Sequence, residues 1–152
     1  MSSDPEPERP GPEHHRKLEN LYHSAPVTEL YGARLRVGAG RAEVTIPVRP
    51  EFFHAAAALH GSVYFRALDD AAFFAANSAV DDALYLTRSF EIRLLRPVDR
   101  GELRAVGRLV RVDGGRIEAE AEVFASDGEL VGTGSGVFAR SDIPLGPEVG
   151  YR

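Results

Sequence analysis

The chain has 152 residues, a formal net charge of −5 and no cysteine. That length suits one domain with a real core, and the negative balance argues against a nucleic-acid-binding surface, which wants a clustered basic face. Without cysteine there are no disulfides, thiol nucleophiles or thiolate metal sites, in keeping with a reducing compartment.

Residues 1–13 are rich in proline and acid and nearly free of apolar side chains, so burial cannot offset the entropy of ordering them and a disordered tail is expected. The same stretch lacks the basic and hydrophobic regions of a signal peptide, and no apolar run is long enough to span a bilayer. The cytoplasm is therefore the expected location, with no membrane partner. From His14 to Tyr31, Leu18, Leu21 and Tyr22 recur at helical spacing before Pro26, which predicts a short amphipathic helix followed by a turn. His14 and His15 are adjacent, so on a helix they diverge, and no third ligand accompanies them. A solvated face is expected there rather than a metal site.

Residues 33–48 alternate as two strands about Gly38-Ala39-Gly40, with Leu35 and Val37, then Ala42, Val44 and Ile46, on the apolar side. Pro47 and Pro50 stop the second strand. The segment His60–Ala79 is then apolar on almost every face, the pattern of a helix buried inside a domain, yet it carries the adjacent carboxylates Asp69 and Asp70. Ser62 is its expected N-cap, and Gly61 loosens the backbone so that nearby amides can face a ligand.

Leu84–Val98 alternates next, with Leu84, Leu86, Phe90, Ile92 and Leu94 expected on the buried face and Tyr85, Thr87, Ser89, Glu91 and Arg93 on the polar one. Arg100-Gly101 turns into a strand ending near Val112, and Asp113-Gly114-Gly115 is a tight hairpin turn. A strand over Ile117–Ala125, a turn at Ser126-Asp127-Gly128 and a last strand over Leu130–Arg140 follow, and 141–152 reads as a loose C-terminal tail. The single domain, 14–140, is therefore α+β, a meander of antiparallel strands rolled around one buried helix. Gly132, Gly134 and Gly136 leave bare backbone in the last strand, read as sheet curvature ahead of ligand contact.

Burying an ionised carboxylate is costly, so Asp69 and Asp70 are either paired, with Arg66 one turn earlier, or retained for chemistry. In an apolar setting a carboxylate becomes a stronger base, and a helix starting at Gly61 offers backbone N–H groups to a developing oxyanion. No serine stands in a G-x-S-x-G elbow, so the common covalent hydrolase routes have little support.

The element order, with the segment LHGSVYFRALDDAAFFA, resembles the hotdog-fold acyl-CoA thioesterases of the phenylacetate-pathway (PaaI-like) type. Their mark is a His-Gly-Gly turn opening the central helix and an Asp nine residues after the His. His60, Gly61 and Asp69 match, within a likeness running from about Leu30 to Arg140. The resemblance implies a hotdog fold and hydrolysis of an acyl- or aryl-CoA thioester to free acid and CoA. Asp69 would act as base or nucleophile, the Gly61 amide would polarise the carbonyl, and His60 would order the turn. It also implies a homodimer or dimer of dimers in which His60 and Gly61 come from one subunit and Asp69 from the other.

Two positions depart from the pattern: Ser62 replaces the second glycine, and His54 stands six before the His, where relatives commonly carry Asn. Both are placed at the substrate. Thr87 falls where relatives put a Ser or Thr that steadies the attacking water. Phe65 and Phe73, with Phe74, offer a wall for the acyl group, and Arg88 and Arg96 are candidate partners for the phosphates of CoA. No metal or redox cofactor is implied, coenzyme A entering only as part of the substrate. Two other readings stand beside this one, a non-catalytic acyl-CoA-binding or sensor module of the same fold and a hotdog hydratase or dehydratase. The residues leave open the acyl group, CoA against acyl-carrier protein, and dimer against tetramer.

Overall fold

The computed structural model describes residues 8–152; residues 1–7, the larger part of the expected N-terminal tail, lie outside the described residues. Six strands form one antiparallel sheet: β1 (Arg34–Gly38), β2 (Arg41–Pro47), β3 (Tyr85–Leu94), β4 (Glu102–Asp113), β5 (Arg116–Phe124) and β6 (Leu130–Arg140). Across the sheet the order is β1-β2-β4-β5-β6-β3. Three helices accompany it: α1 (Pro12–Ser24), α2 (Pro26–Tyr31) and α3 (Gly61–Asn77).

The helix α3 packs against every strand, and small side chains allow it. Ala67, Leu68, Ala71, Ala72, Ala75 and Ala76 are fully buried, so the sheet can close tightly around a thin helix. At the closest approach β4 carries Gly107, where a Cβ would overlap the backbone carbonyl of Ala71. The expected hairpins form where the turn residues placed them. Gly40 between β1 and β2 and Gly114 between β4 and β5 adopt the left-handed conformation, with φ of 67° and 61°.

Tertiary packing changes several local expectations. β3 pairs with β6, not with its sequence neighbour β4, and so becomes one edge of the sheet. Its alternation is also broken. Thr87 pairs with Phe138 and Ser89 with Val137, consecutive residues of β6, so Arg88 is the extra residue of a β-bulge. The bulge reverses the expected parity in the first half of the strand: Tyr85 is buried and Thr87 turns inward, while Leu86 is 39% exposed. The glycines of β6 have a specific use, since Cβ atoms at Gly134 and Gly136 would overlap the ring of Phe90.

At the N-terminus, Pro26 opens a second helix rather than ending the first. His14 and His15 are buried, not solvated. His14 Nε2 lies 2.8 Å from the Asn77 carbonyl, which fixes it as the donor there, and Nδ1 accepts from the Tyr151 hydroxyl at 2.7 Å. That contact also ties down a C-terminal segment expected to be loose, as do bonds from Leu84 N–H to the Ile143 carbonyl (3.0 Å) and from Ser141 N–H to the Leu84 carbonyl (3.2 Å). Asn77 locks the end of α3 to the start of β3: its amide donates to the carbonyls of Phe73 and Tyr85, and its oxygen accepts from Tyr85 N–H. The two sheet edges differ. On β1, helix α1 supplies acceptors to the outward amides, His23 Nε2 to Leu35 and Glu19 Oε2 to Val37, whereas β3 pairs on one side only.

Candidate active site

One face of α3 repeats every four residues along β3, which runs against it. Gly61 lies nearest Leu94, Phe65 packs edge-on against Phe90 with ring centroids 5.6 Å apart, and Asp69 Oδ1 accepts from Thr87 Oγ1 at 2.9 Å. Regular alternation back from Phe90 would aim position 88 at the helix. The bulge substitutes Thr87, so Asp69 meets a neutral hydroxyl rather than a guanidinium, and Arg88 is exposed.

Burial pushes Asp69 up from its usual value to about 6, against the stabilising bond from Thr87. The neighbouring Asp70 charge adds to the rise and Arg66 opposes it. Arg66, the partner considered for Asp69, pairs instead with Asp70: Nε lies 2.8 Å from Asp70 Oδ2, off the hydrogen-bond axis, making the contact an ion pair. The Tyr22 hydroxyl donates to the same oxygen at 2.7 Å. Asp70 is also pushed up by burial, with Arg66 and Tyr22 acting against it.

At the N-terminus of α3 the cap is His60, not Ser62. His60 Nδ1 accepts from Ser62 N–H at 3.1 Å and lies 2.8 Å from the Ser62 hydroxyl. Ser62 is therefore the residue being capped, and the Gly61 N–H has no acceptor among the described residues. A cleft of about 330 Å³ opens here, lined by His54, Gly61, Tyr64, Leu94 and Arg96 among others. His54 Nδ1 accepts from Ala56 N–H at 3.0 Å, which leaves the proton of the neutral ring on Nε2 as a donor. Arg96 pairs with Glu129 at 2.9 Å, and its carbonyl accepts from the Tyr64 hydroxyl.

The expected site residues thus fall into two groups. Gly61, His60, Ser62, His54 and Arg96 surround the start of α3, while Asp69, Thr87 and Phe65 lie farther along it. Eight residues of helix separate Gly61 from Asp69, about 12 Å along the axis. Phe73 packs against Phe74 and Phe138 at the margin of the core. Hollows on the outer face of the sheet, lined by Glu91, Arg93, Glu120 and Ser135, include none of these residues. Among the described residues no three His, Asp or Glu side chains converge as metal ligands. Tyr22 and Phe90 escaped sequence reasoning: Tyr22 reaches Asp70 across 48 positions, and Phe90 read only as a core residue.

Residues 57–132, half of the chain, match the model of the thioesterase superfamily, and the chain belongs to that superfamily. It is 32% identical over 91 residues to an esterase-named protein of Saccharolobus solfataricus, the match covering 60% of this chain and 65% of that relative's length. Among solved structures, a conserved protein of Pseudomonas aeruginosa is 30% identical, with a TM-score of 0.72 over 77% of this chain and 94% of the other. The PaaI protein of Escherichia coli, from the phenylacetic acid degradation operon, superposes with a TM-score of 0.78 over 88% of this chain and 99% of its own. At 20% identity that last likeness is one of fold: an antiparallel sheet around a central helix, the α+β hotdog architecture. No helix of the described residues is long and apolar enough to cross a membrane.

Proposed function

We propose that the protein is an acyl-CoA thioesterase whose base or nucleophile is Asp69, and that two copies of the chain build each site. The observation that carries this reading is the state of Asp69: an inward carboxylate, held by one neutral hydroxyl and raised to about 6, in a chain of the thioesterase superfamily. At pH 7.5 such a group is ionised and a stronger base than an exposed aspartate. It takes a proton from water as the water oxygen attacks the thioester carbon, or it attacks that carbon itself, displacing CoA to leave an acyl-aspartyl anhydride that water then hydrolyses. Charge develops on the carbonyl oxygen, which needs a donor within hydrogen-bond distance, and the unoccupied Gly61 N–H at the positive end of α3 suits it. The C–S bond then breaks and the thiolate of CoA leaves. The reaction is a hydrolysis with no change of oxidation state, so the reading calls for no redox cofactor, and Asp69 takes the part of base or nucleophile without a metal.

The separation of about 12 Å along one helix favours a shared site, since a single carbonyl cannot touch Gly61 and Asp69 of the same chain. A second copy joined antiparallel along the free edge of β3 would lay the two α3 helices side by side in opposite directions. Gly61 of each copy would then approach Asp69 of the other. The exposed Leu94 and Leu95 beside that edge, 49% and 50% accessible, are apolar surface such pairing would cover. In this arrangement His54 and Ser62 border the thioester, Phe65 faces the acyl group, and Arg88 and Arg96 are available to phosphate.

The test is release of free CoA from short-chain, long-chain and aryl acyl-CoAs by the wild type and Asp69→Asn. Turnover is expected in the wild type and a loss of at least about a thousandfold in the variant. Undiminished hydrolysis by Asp69→Asn would remove Asp69 from its role, and tight binding without turnover by the wild type would make the protein a binding module.

A further inference from the structure

Arg66 stands three residues before Asp69 and four before Asp70, spacings that both make neighbours on a helix surface. It is held to Asp70, through the 2.8 Å ion pair, and the Tyr22 hydroxyl of α1 anchors the same carboxylate oxygen at 2.7 Å. Aromatic faces complete the hold: the guanidinium carbon lies 5.1 Å from the Tyr31 ring centroid on α2 and 5.9 Å from that of Tyr22. Asp69 faces Thr87 of β3 and has no other hydrogen-bond partner among the described residues. The charged groups around it are Asp70 and Arg66 on its own helix and, on β3, Arg88, which the bulge leaves exposed. From α1, Tyr22 acts on it only through Asp70.

We propose that Asp70 is a positioning residue: tethered by Tyr22, it retains Arg66 and keeps that cation off Asp69, leaving the Asp69 carboxylate free to accept a proton from water. The proposal rests on the reading of Asp69 as the base. An arginine paired with Asp69 would occupy its oxygens and favour the ionised form, making it a weaker base by roughly 1 to 3 pH units. The adjacent carboxylates then have opposite tasks, one committed to a cation and the other kept from it.

The test compares Asp70→Asn with the double variant Arg66→Met/Asp70→Asn, following the Asp69 carboxyl titration by 13C NMR and the pH profile of kcat/KM. Asp70→Asn frees Arg66 and also removes the Asp70 charge that raises Asp69, so the Asp69 titration should fall by about one pH unit or more, further than in the double variant, which loses the same Asp70 charge but has no arginine to move. Plateau kcat/KM should drop at least about tenfold. The double variant removes both members of the partly buried pair, a change that folds tolerate far better than removing one. It should titrate close to the wild type and recover most of the activity. An unmoved titration in Asp70→Asn, or a double variant titrating as low as the single, overturns the proposal. If Asp70→Asn does not fold, the double variant still decides: a lowered titration there overturns it. A titration that moves as expected while kcat/KM does not follow would instead count against Asp69 as the base.

Discussion

Asp69 is a residue that folding penalises when it is charged. Its carboxyl rises from 3.8 to about 6, so the native state binds more protons than the unfolded chain between those values, and stability falls as pH rises through that window. At 1.36 kcal/mol per pH unit the cost above pH 6 is about 3 kcal/mol. Asp69→Asn keeps an acceptor for Thr87 and should raise unfolding stability at pH 7.5 by roughly 1 to 3 kcal/mol, a gain that vanishes near pH 4 in denaturant titrations. With Asp69 as the base, the acid limb of kcat/KM is expected near 6, and Thr87→Val, which removes the one hydrogen bond favouring the ionised form, should move it to higher pH. A limb that stays in place would show that another group sets it. At this scale the spacing of His60, Gly61 and Asp69 was legible in the chain, but the assignment of Arg66 to Asp70 was not. Both spacings are compatible with a helix, and Tyr22, which helps decide between them, is remote in sequence.

The elements that hold the proposed site are α3 and β3, and the fit of the sheet around α3 depends on bare backbone elsewhere. Gly107→Ala would press a methyl group into the Ala71 carbonyl, which belongs to the helix backbone and cannot rotate away. The expected loss is about 3 kcal/mol, read as a lower denaturation midpoint with an unchanged m-value. In β6 the obstacle is a side chain, so the prediction differs. Gly134→Ala should destabilise the wild type by about 1 to 3 kcal/mol but much less in a Phe90→Ala background, giving a coupling that a double-mutant cycle measures. Strand and turn positions after α3 were readable because alternation and glycine turns are local signals. The bulge at Arg88 was not, because an inserted residue looks like any other until the partner strand sets the register.

At the scale of the whole molecule the open question of the site becomes one of assembly, and mixing variants addresses it. Gly61→Pro removes the N–H at a position where proline suits a helix start, and Asp69→Asn removes the carboxylate. Each homomer should be inactive. Random mixing should restore about a quarter of wild-type activity, since about half of the dimers are mixed and each then holds one intact site. Proven mixed dimers without recovery would place both groups in one chain's site.

By itself the sequence determined the six strands and their chain order, the apolar helix and the pair of acids upon it, because hydrophobic period and turn chemistry act over a few residues. Only the tertiary structure decided which strand β3 joins, which residue of β3 meets Asp69, which acid takes Arg66, and that His14 and Tyr151 are fastened together. Those outcomes depend on pairings between segments far apart in the chain, where burial and register, not local preference, set the energy.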